Sequence, residues 1–231
     1  MFVLTIDQKG SRKGRDRVPD LLELLAEVPM DRPFERSVGD EVQGITHDAG
    51  AAVEAALIAL RSGHWSVGIG VGAVDLPLPA STREASGPAF VAAREAVDRA
   101  KKTGDRPPLA VAGAPGAADA EAVLVLIGRL IRDRTPEQWR ILEHVEPGIW
   151  GAQSAAARKL GISPQSVGKT TARAGWQEEW AARPAAAVLL ARADEQAGSR
   201  DPARLEDPAR HEDPARPSIG SGPTSGEGAL R

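Results

Sequence analysis

Hydrophobic positions in the first part of the chain switch between the two-residue period of strands and the helical period of about 3.6 residues. Strand patterns occupy residues 2–6, 34–38, 41–45, 66–74 and 109–112. Helical patterns occupy residues 18–25, 49–60, 88–101 and 117–131. The order strand, helix, strand, strand, helix, strand, with additions, predicts an α+β domain of the ferredoxin-like or palm type (βαββαβ).

The strand pattern at residues 66–74 places glycines on one face and apolar residues on the other. Gly68, Gly70 and Gly72 lie within the strand and not at a strand-to-helix turn, so they are not a Rossmann fingerprint. Glycines of this kind allow either a helix or a ligand to approach the strand closely. Close packing of a helix is the favoured interpretation, and ligand approach stays open.

A different, all-helical pattern begins at Thr135, which precedes Pro136 as a helix cap precedes a first-turn proline. Further along, Gly161 supplies a left-handed turn residue, and Ser163 is the expected cap of the next helix. Val167, four residues after that serine, continues the apolar core. This spacing is typical of a helix-turn-helix, and the segment resembles bacterial regulators of the MarR and sigma-like kinds.

In such a motif the last helix reads base edges in the major groove of DNA. The polar candidates for that role are Gln165, Ser166, Lys169 and Thr170. The basic candidates for phosphate contacts are Arg158, Lys159 and Arg173. The alternative is a helical hairpin that serves only protein contact or dimerisation, because a fold alone does not determine a function.

Composition narrows the class of protein further. The 231 residues carry a net charge of −3, which argues against a globally basic nucleic-acid coat protein. Cysteine is absent, so disulfides and cysteine-bound zinc are excluded. No apolar run approaches the roughly 20 residues that a membrane span needs. The absence of cysteine and of a signal-type N-terminus leads us to expect a cytoplasmic protein.

The end of the chain has the composition of a disordered tail. The tetrad Asp-Pro-Ala-Arg occurs three times after Gly198, and most of the remaining residues there are glycine, serine and proline. Such a segment buries too little apolar surface to offset its ordering entropy. We therefore expect an α+β domain at residues 1–132, a helix-turn-helix domain at 133–197 and a disordered tail at 198–231.

Two carboxylates occupy positions that suit a metal ion. Asp7 lies just past the first strand, and Asp40 lies in the hairpin turn between the next two strands. Both could meet at one sheet edge and hold Mg²⁺ or Mn²⁺, with Glu41 as a third oxygen donor. The alternative is a loop aspartate and a simple turn aspartate.

A basic, glycine-containing loop follows Asp7 and could cradle the phosphates of a ligand. Its candidate ligand residues are Lys9, Ser11 and Arg12.

Several motifs in this half of the chain resemble the SatD family of bacterial proteins over roughly residues 2–102. In chain order, the motifs are Ile6-Asp7 with Gly10-Ser11-Arg12, Gly39-Asp40-Glu41-Val42-Gln43-Gly44, Gly68-Ile69-Gly70-Val71-Gly72, and Gly87-Pro88-Ala89 with Ala92-Ala93-Arg94. An appended helix-turn-helix is similar to what that family carries.

More distantly, the same residues resemble class III nucleotidyl cyclases and GGDEF-type palm domains. The resemblance implies metal-binding roles for Asp7 and Asp40 and a phosphate-binding role for Arg94. The family's asparagine position holds Phe90, which cannot donate a hydrogen bond, so the resemblance implies a nucleotide scaffold without turnover.

The leading hypothesis is a homodimeric DNA-binding regulator that senses a nucleotide or another phosphate ligand. A metal-dependent nucleotidyl cyclase or transferase is the rival, and an adaptor with neither activity is the third possibility.

Overall fold

A computed structural model of the protein describes residues 1–11 and 14–198. Within these ranges the chain forms one compact mixed α/β unit with five strands and eight α-helices. In chain order they are β1 (Phe2–Gln8), α1 (Val18–Leu25), β2 (Arg32–Arg36), β3 (Glu41–Thr46), α2 (Ala49–Arg61), β4 (Trp65–Val71), α3 (Pro88–Ala100), β5 (Leu109–Ala112), α4 (Ala117–Arg132), α5 (Pro136–Leu142), α6 (Ala152–Leu160), α7 (Pro164–Arg173) and α8 (Trp176–Gly198). The elements expected from periodicity are present, with two shifts in their bounds. β2 lies two residues earlier than its hydrophobic pattern, and β4 ends at Val71, three residues before the predicted end.

The five strands form a single mixed sheet in the order β2-β3-β1-β4-β5. β1 runs antiparallel to both β3 and β4, and β5 is parallel to β4. In this register Asp7 lies opposite Glu41 on one side and Ser66 on the other. These three residues therefore share one face near the same end of the sheet.

The two faces of the sheet are covered unequally because the side chains of β1 alternate between them. Phe2, Leu4 and Ile6 face the larger core, which they share with α1, α2, α4 and the second half of α8. Val3 faces the other side, where it packs with Ala89 and other residues of α3.

Helix α3 approaches β4 closely because that strand presents glycines to it. A Cβ atom at Gly70 would overlap the backbone of Ala89 and lie 2.9 Å from the Cα of Ala93. One at Gly68 would lie 2.8 Å from the Cα of Val97. The helix-packing interpretation of the glycine strand is confirmed.

Helices α5 to α7 form a smaller core, and their ends are capped as the sequence predicts. Thr135 and Gln138 form a capping box at the start of α5. Gly161 has a φ of +66° between α6 and α7, and the Ser163 side chain accepts a hydrogen bond from the Ser166 backbone N–H at 3.2 Å. Val167 is fully buried in this core.

Helix α8 is 23 residues long and contributes to both cores. Its first residue, Trp176, packs with α5 to α7. Further along, Ala186, Leu190 and Ala193 are fully buried in the larger core. Asp194 forms an ion pair with the amino group of Met1, so the end of α8 is attached to the start of β1.

Two sequence predictions lie outside the described ranges, namely the tail beyond Gly198 and the candidate ligand residue Arg12. Within those ranges, no helix combines the length and the apolar character needed to cross a lipid bilayer.

Candidate functional site

Helix α7 presents a polar surface on the side opposite its buried residues, and we call this the α7 surface. Its members are Gln165, Ser166, Lys169, Thr170 and Arg173. Thr170 is half-buried and the other four are exposed. Val167 and Thr171, four residues apart, face the core, so the helical period turns the remaining polar residues outward.

Basic side chains on and beside this surface have no counter-charge among the described residues. Arg158 and Lys159 are exposed at the end of α6. Among the described residues, neither of them forms an ion pair, and the same holds for Lys169 and Arg173. Their charges are therefore available to an external anion. Ser166 differs, because its hydroxyl lies 2.9 Å from that of Ser163 within the helix cap.

Asp7 is already paired with a cation from α3. The Nζ of Lys101 lies 2.8 Å from the Asp7 carboxylate and 3.5 Å from that of Asp98. Partial burial lowers the pKa of Lys101, but the hydrogen bond to Asp7 and the two carboxylate charges outweigh it and raise that pKa above its usual value.

Asp40 lies in the turn before β3 and is half-exposed. Its backbone carbonyl accepts a hydrogen bond from the Gln8 N–H at 3.4 Å. Within the described residues its side chain has no hydrogen-bond or ion-pair partner.

Glu41 and Arg94 form an ion pair with each other, and the Nε of Arg94 also lies 3.9 Å from Asp98, the second acid beside Lys101. The Arg94 guanidinium forms an ion pair with the buried Glu41 carboxylate, which also accepts a hydrogen bond from the Ser37 hydroxyl at 2.9 Å. Phe90, one turn before Arg94, is partly buried beside the Val3 cluster.

A cleft of about 500 Å³ opens beside Asp7, and basic residues dominate its rim. We call it the basic cleft, defined by Asp7, Lys9, Ser66, Lys101, Arg106 and Arg132. Burial and the nearby Arg132 lower the pKa of Lys9. Arg106 forms an ion pair with Glu121 at 2.8 Å, whereas the Nε of Arg132 lies 3.8 Å from a carboxylate oxygen of Asp133. Among the residues that line the cleft, four cations face one carboxylate, and Lys9 is the cation for which the described residues supply no ion-pair partner.

Gln8 fixes the loop that begins at Lys9. Its side-chain amide donates to the Arg15 carbonyl at 2.7 Å and accepts from the Arg17 N–H at 2.8 Å. The Lys9 N–H donates to the His64 carbonyl at 2.8 Å. These bonds hold Lys9 at the cleft.

The predicted ligand residues do not all meet in one place. Lys9 lines the basic cleft, Ser11 does not, and Glu41 and Arg94 lie together on the α3 face. Sequence reasoning missed Lys101, Arg106 and Arg132. Lys101 follows Arg94 by seven residues, and this helical spacing is a signal that would have placed both on one face of α3.

The contacts of Asp7 bear on the predicted metal site. A divalent ion would have to displace the Lys101 ammonium before Asp7 could coordinate it. Within the described ranges, no group of three or more acidic, histidine or cysteine side chains is close enough to hold a metal. The surroundings of Asp7 suit the ammonium group of Lys101 better than Mg²⁺ or Mn²⁺. The metal site stays a prediction.

Comparison with known proteins identifies no family for this chain. No family model matches the chain, and no curated protein or solved structure matches it. The resemblances to SatD proteins and to nucleotidyl cyclases therefore stay predictions.

Proposed function

We propose that this protein is a DNA-binding transcriptional regulator whose sheet domain senses a phosphate-bearing ligand. The observation that carries the proposal is the α7 surface, an exposed row of polar and basic side chains on a helix whose other face is packed. Among the described residues, Lys169 and Arg173 form no ion pair and are exposed, so their charges are available to an external anion such as a DNA phosphate.

The local architecture supports a helix-turn-helix at α6 and α7. A left-handed Gly161, the half-buried Ile162 and the capping Ser163 join two short helices, and α5 completes a three-helix core. In this arrangement the start of the second helix enters the major groove, where Gln165 and Lys169 meet base edges. Arg158, Lys159 and Arg173 contact phosphates on either side.

The strand order supports a ferredoxin-like or palm assignment for the sheet domain. β2, β3, β1 and β4 are neighbours in that order, and all three pairings are antiparallel, as expected for βαββαβ. In this proposal α3, β5 and α4 are additions to that unit.

Titration of the full chain against DNA tests the DNA half of the proposal. The DNA probe is the region upstream of the protein's own coding sequence, and a scrambled fragment is the reference. Binding is measured at several salt concentrations. Arg173→Ala removes one phosphate contact and should flatten the slope of log K against log salt by about one unit on all sequences. Gln165→Ala should relax preference at one base position by about 1 to 3 kcal/mol.

Arg192→Ala is the matched control, because Arg192 is exposed on the second half of α8, away from the α7 surface. It should change neither the slope nor the preference. If the native protein binds neither DNA at low salt, the regulator function is wrong. A homodimer, which we also propose, should protect two half-sites about one helical turn apart.

The basic cleft is the proposed ligand site because four cationic side chains surround one carboxylate there. Inorganic pyrophosphate is the probe, measured by calorimetry on the full chain. Lys9→Gln should weaken its binding about tenfold, since a hydrogen bond to a charged group is lost. Lys102→Gln removes an exposed lysine outside the cleft and should leave binding unchanged. Equal affinities for native protein and Lys9→Gln would rule out this cleft.

A further inference from the structure

A second cavity, of about 760 Å³, lies among the helices of the smaller core. Its wall is built from the α5–α6 loop, α6, α7 and the start of α8, and it falls within the size range of small-molecule sites. Three of the chain's five tryptophans, Trp150, Trp176 and Trp180, line it, so we call it the tryptophan cavity.

The cavity combines aromatic surface with a single negative charge. Among the described residues that line it, Glu146 is the one charged side chain, and the polar remainder is neutral. Glu146 is exposed and forms no ion pair within the described ranges. An anion would meet an uncompensated carboxylate here, whereas a cation would be attracted to it.

The indole rings around this cavity already attract cations from within the protein. The guanidinium carbon of Arg183 lies 3.8 Å from the centre of the Trp180 ring, and that of Arg134 lies 5.3 Å from the Trp176 ring. Both arginines share Glu179 as their counter-ion and neither lines the cavity. Trp150, in contrast, is 100% exposed at the mouth, and no cation stacks on it within the described residues.

From this charge complementarity we propose that the tryptophan cavity binds a small lipophilic cation, of the aryl quaternary ammonium class. Its apolar body packs against Ile149 and the indoles, and its cationic head lies over the Trp150 ring beside Glu146. Quaternary ammonium groups suit such a site because they are weakly hydrated and are attracted to indole faces.

The site is separate from the basic cleft and adds a second ligand to the protein. Thr171 of α7 lines the cavity, and its hydroxyl lies 3.4 Å from the Gln153 amide of α6. A bound cation therefore contacts the buried side of the helix whose exposed side carries Gln165 and Lys169.

The test is fluorine NMR on the full chain labelled with 5-fluorotryptophan, with each resonance assigned by a tryptophan-to-phenylalanine substitution. The probe is (3-hydroxyphenyl)trimethylammonium, and its uncharged isostere 3-tert-butylphenol is the comparison, slightly below neutral pH. The cation should shift the Trp150, Trp176 and Trp180 resonances and leave that of Trp65, which is 2% exposed in the larger core, in place. It should bind about tenfold more tightly than the isostere.

Two variants separate the parts of the proposal. Trp150→Ala changes a side chain that is fully exposed, and it should weaken binding of the cation more than binding of the isostere. Glu146→Gln should lower the affinity for the cation about threefold and leave the affinity for the isostere unchanged. The effect is small because solvent screens an exposed charge. Glu178→Gln, an exposed acid of α8 outside the cavity, should alter neither affinity. Equal binding of the two probes, or no shift of the three tryptophans with the cation, overturns the proposal.

Discussion

Arg134 and Glu179 form an ion pair whose side chains are 1% and 0% exposed. The Arg134 guanidinium also donates to the Ala174 carbonyl at 3.0 Å and lies 4.8 Å from the centre of the Trp139 ring. Glu179 also forms an ion pair with Arg183, which lies one turn further along α8. The pair therefore joins the segment before α5 to α8 through groups that have lost nearly all their hydration.

Neutralising Glu179 should be strongly destabilising. Glu179→Gln leaves the Arg134 charge buried without a counter-ion, which typically costs about 3 to 5 kcal/mol of unfolding free energy. Denaturant unfolding measures the loss. Glu178→Gln, at the exposed neighbouring position, should change that free energy by no more than about 0.5 kcal/mol. A loss below about 1 kcal/mol for Glu179→Gln would show that the pair does not hold α8 in place.

Adding one methyl group between β4 and α3 should separate them. Gly70→Ala places a Cβ against backbone atoms of Ala89 and Ala93, which cannot rotate away as a side chain can. We expect a loss of about 3 kcal/mol or more in unfolding free energy.

Gly168→Ala in α7 is the control for Gly70→Ala. The added Cβ would meet only the movable end of Gln153, at 3.2 Å. Alanine is also the better helix former by about 1 kcal/mol, so stability should be unchanged or higher. A native-like unfolding midpoint for Gly70→Ala would contradict the packing.

Stability should depend on pH through Asp31. Its carboxylate accepts a hydrogen bond from the His47 backbone N–H at 2.6 Å and contacts the His47 ring Nδ1 at 2.7 Å. Burial raises the pKa of Asp31, but the contacts with His47 outweigh it, and the net pKa is lowered. Stabilisation is therefore present above the usual carboxyl pKa and is lost as the pH falls through the lowered value.

Asp31→Asn should cost about 1 kcal/mol at neutral pH, and the difference from the native protein should shrink in acid. Urea unfolding across a pH series gives both quantities. Asp105→Asn, at an exposed carboxyl group, should show no such trend. A cost that stays constant with pH would mean that the charge of Asp31 is not what stabilises this contact.

A metal shared by Asp7 and Asp40 should compete with Lys101. Lys101→Gln removes the ammonium that lies 2.8 Å from Asp7, and it should strengthen Mn²⁺ binding relative to the native chain. Adding Asp40→Asn to that variant should abolish the gain. Electron paramagnetic resonance of free Mn²⁺ measures both, with Lys102→Gln as the charge-matched control. If Mn²⁺ binds none of these proteins, the predicted metal site is wrong.

Local features of the fold could be predicted because each depends on neighbours in the chain. The alternation in β1 and the glycines of β4 identify both strands, and caps such as Ser163 mark helix starts within one turn. Helix α8 was not recognisable in the same way. Its first residues pack on the smaller core and its later ones on the larger core, so no single apolar stripe runs along it.

The candidate site likewise has some features that local sequence determines and others that depend on tertiary packing. Sequence alone determined that Lys9 follows a strand and that the polar positions of α7 share its outer face, because periodicity and caps act over a few residues. Only the tertiary structure decided that Lys101 pairs with Asp7, that Arg94 pairs with Glu41 and that Arg134 is buried against Glu179. Many charged residues could serve as partners in a chain of this length, and the choice among them depends on distances that packing sets between remote segments.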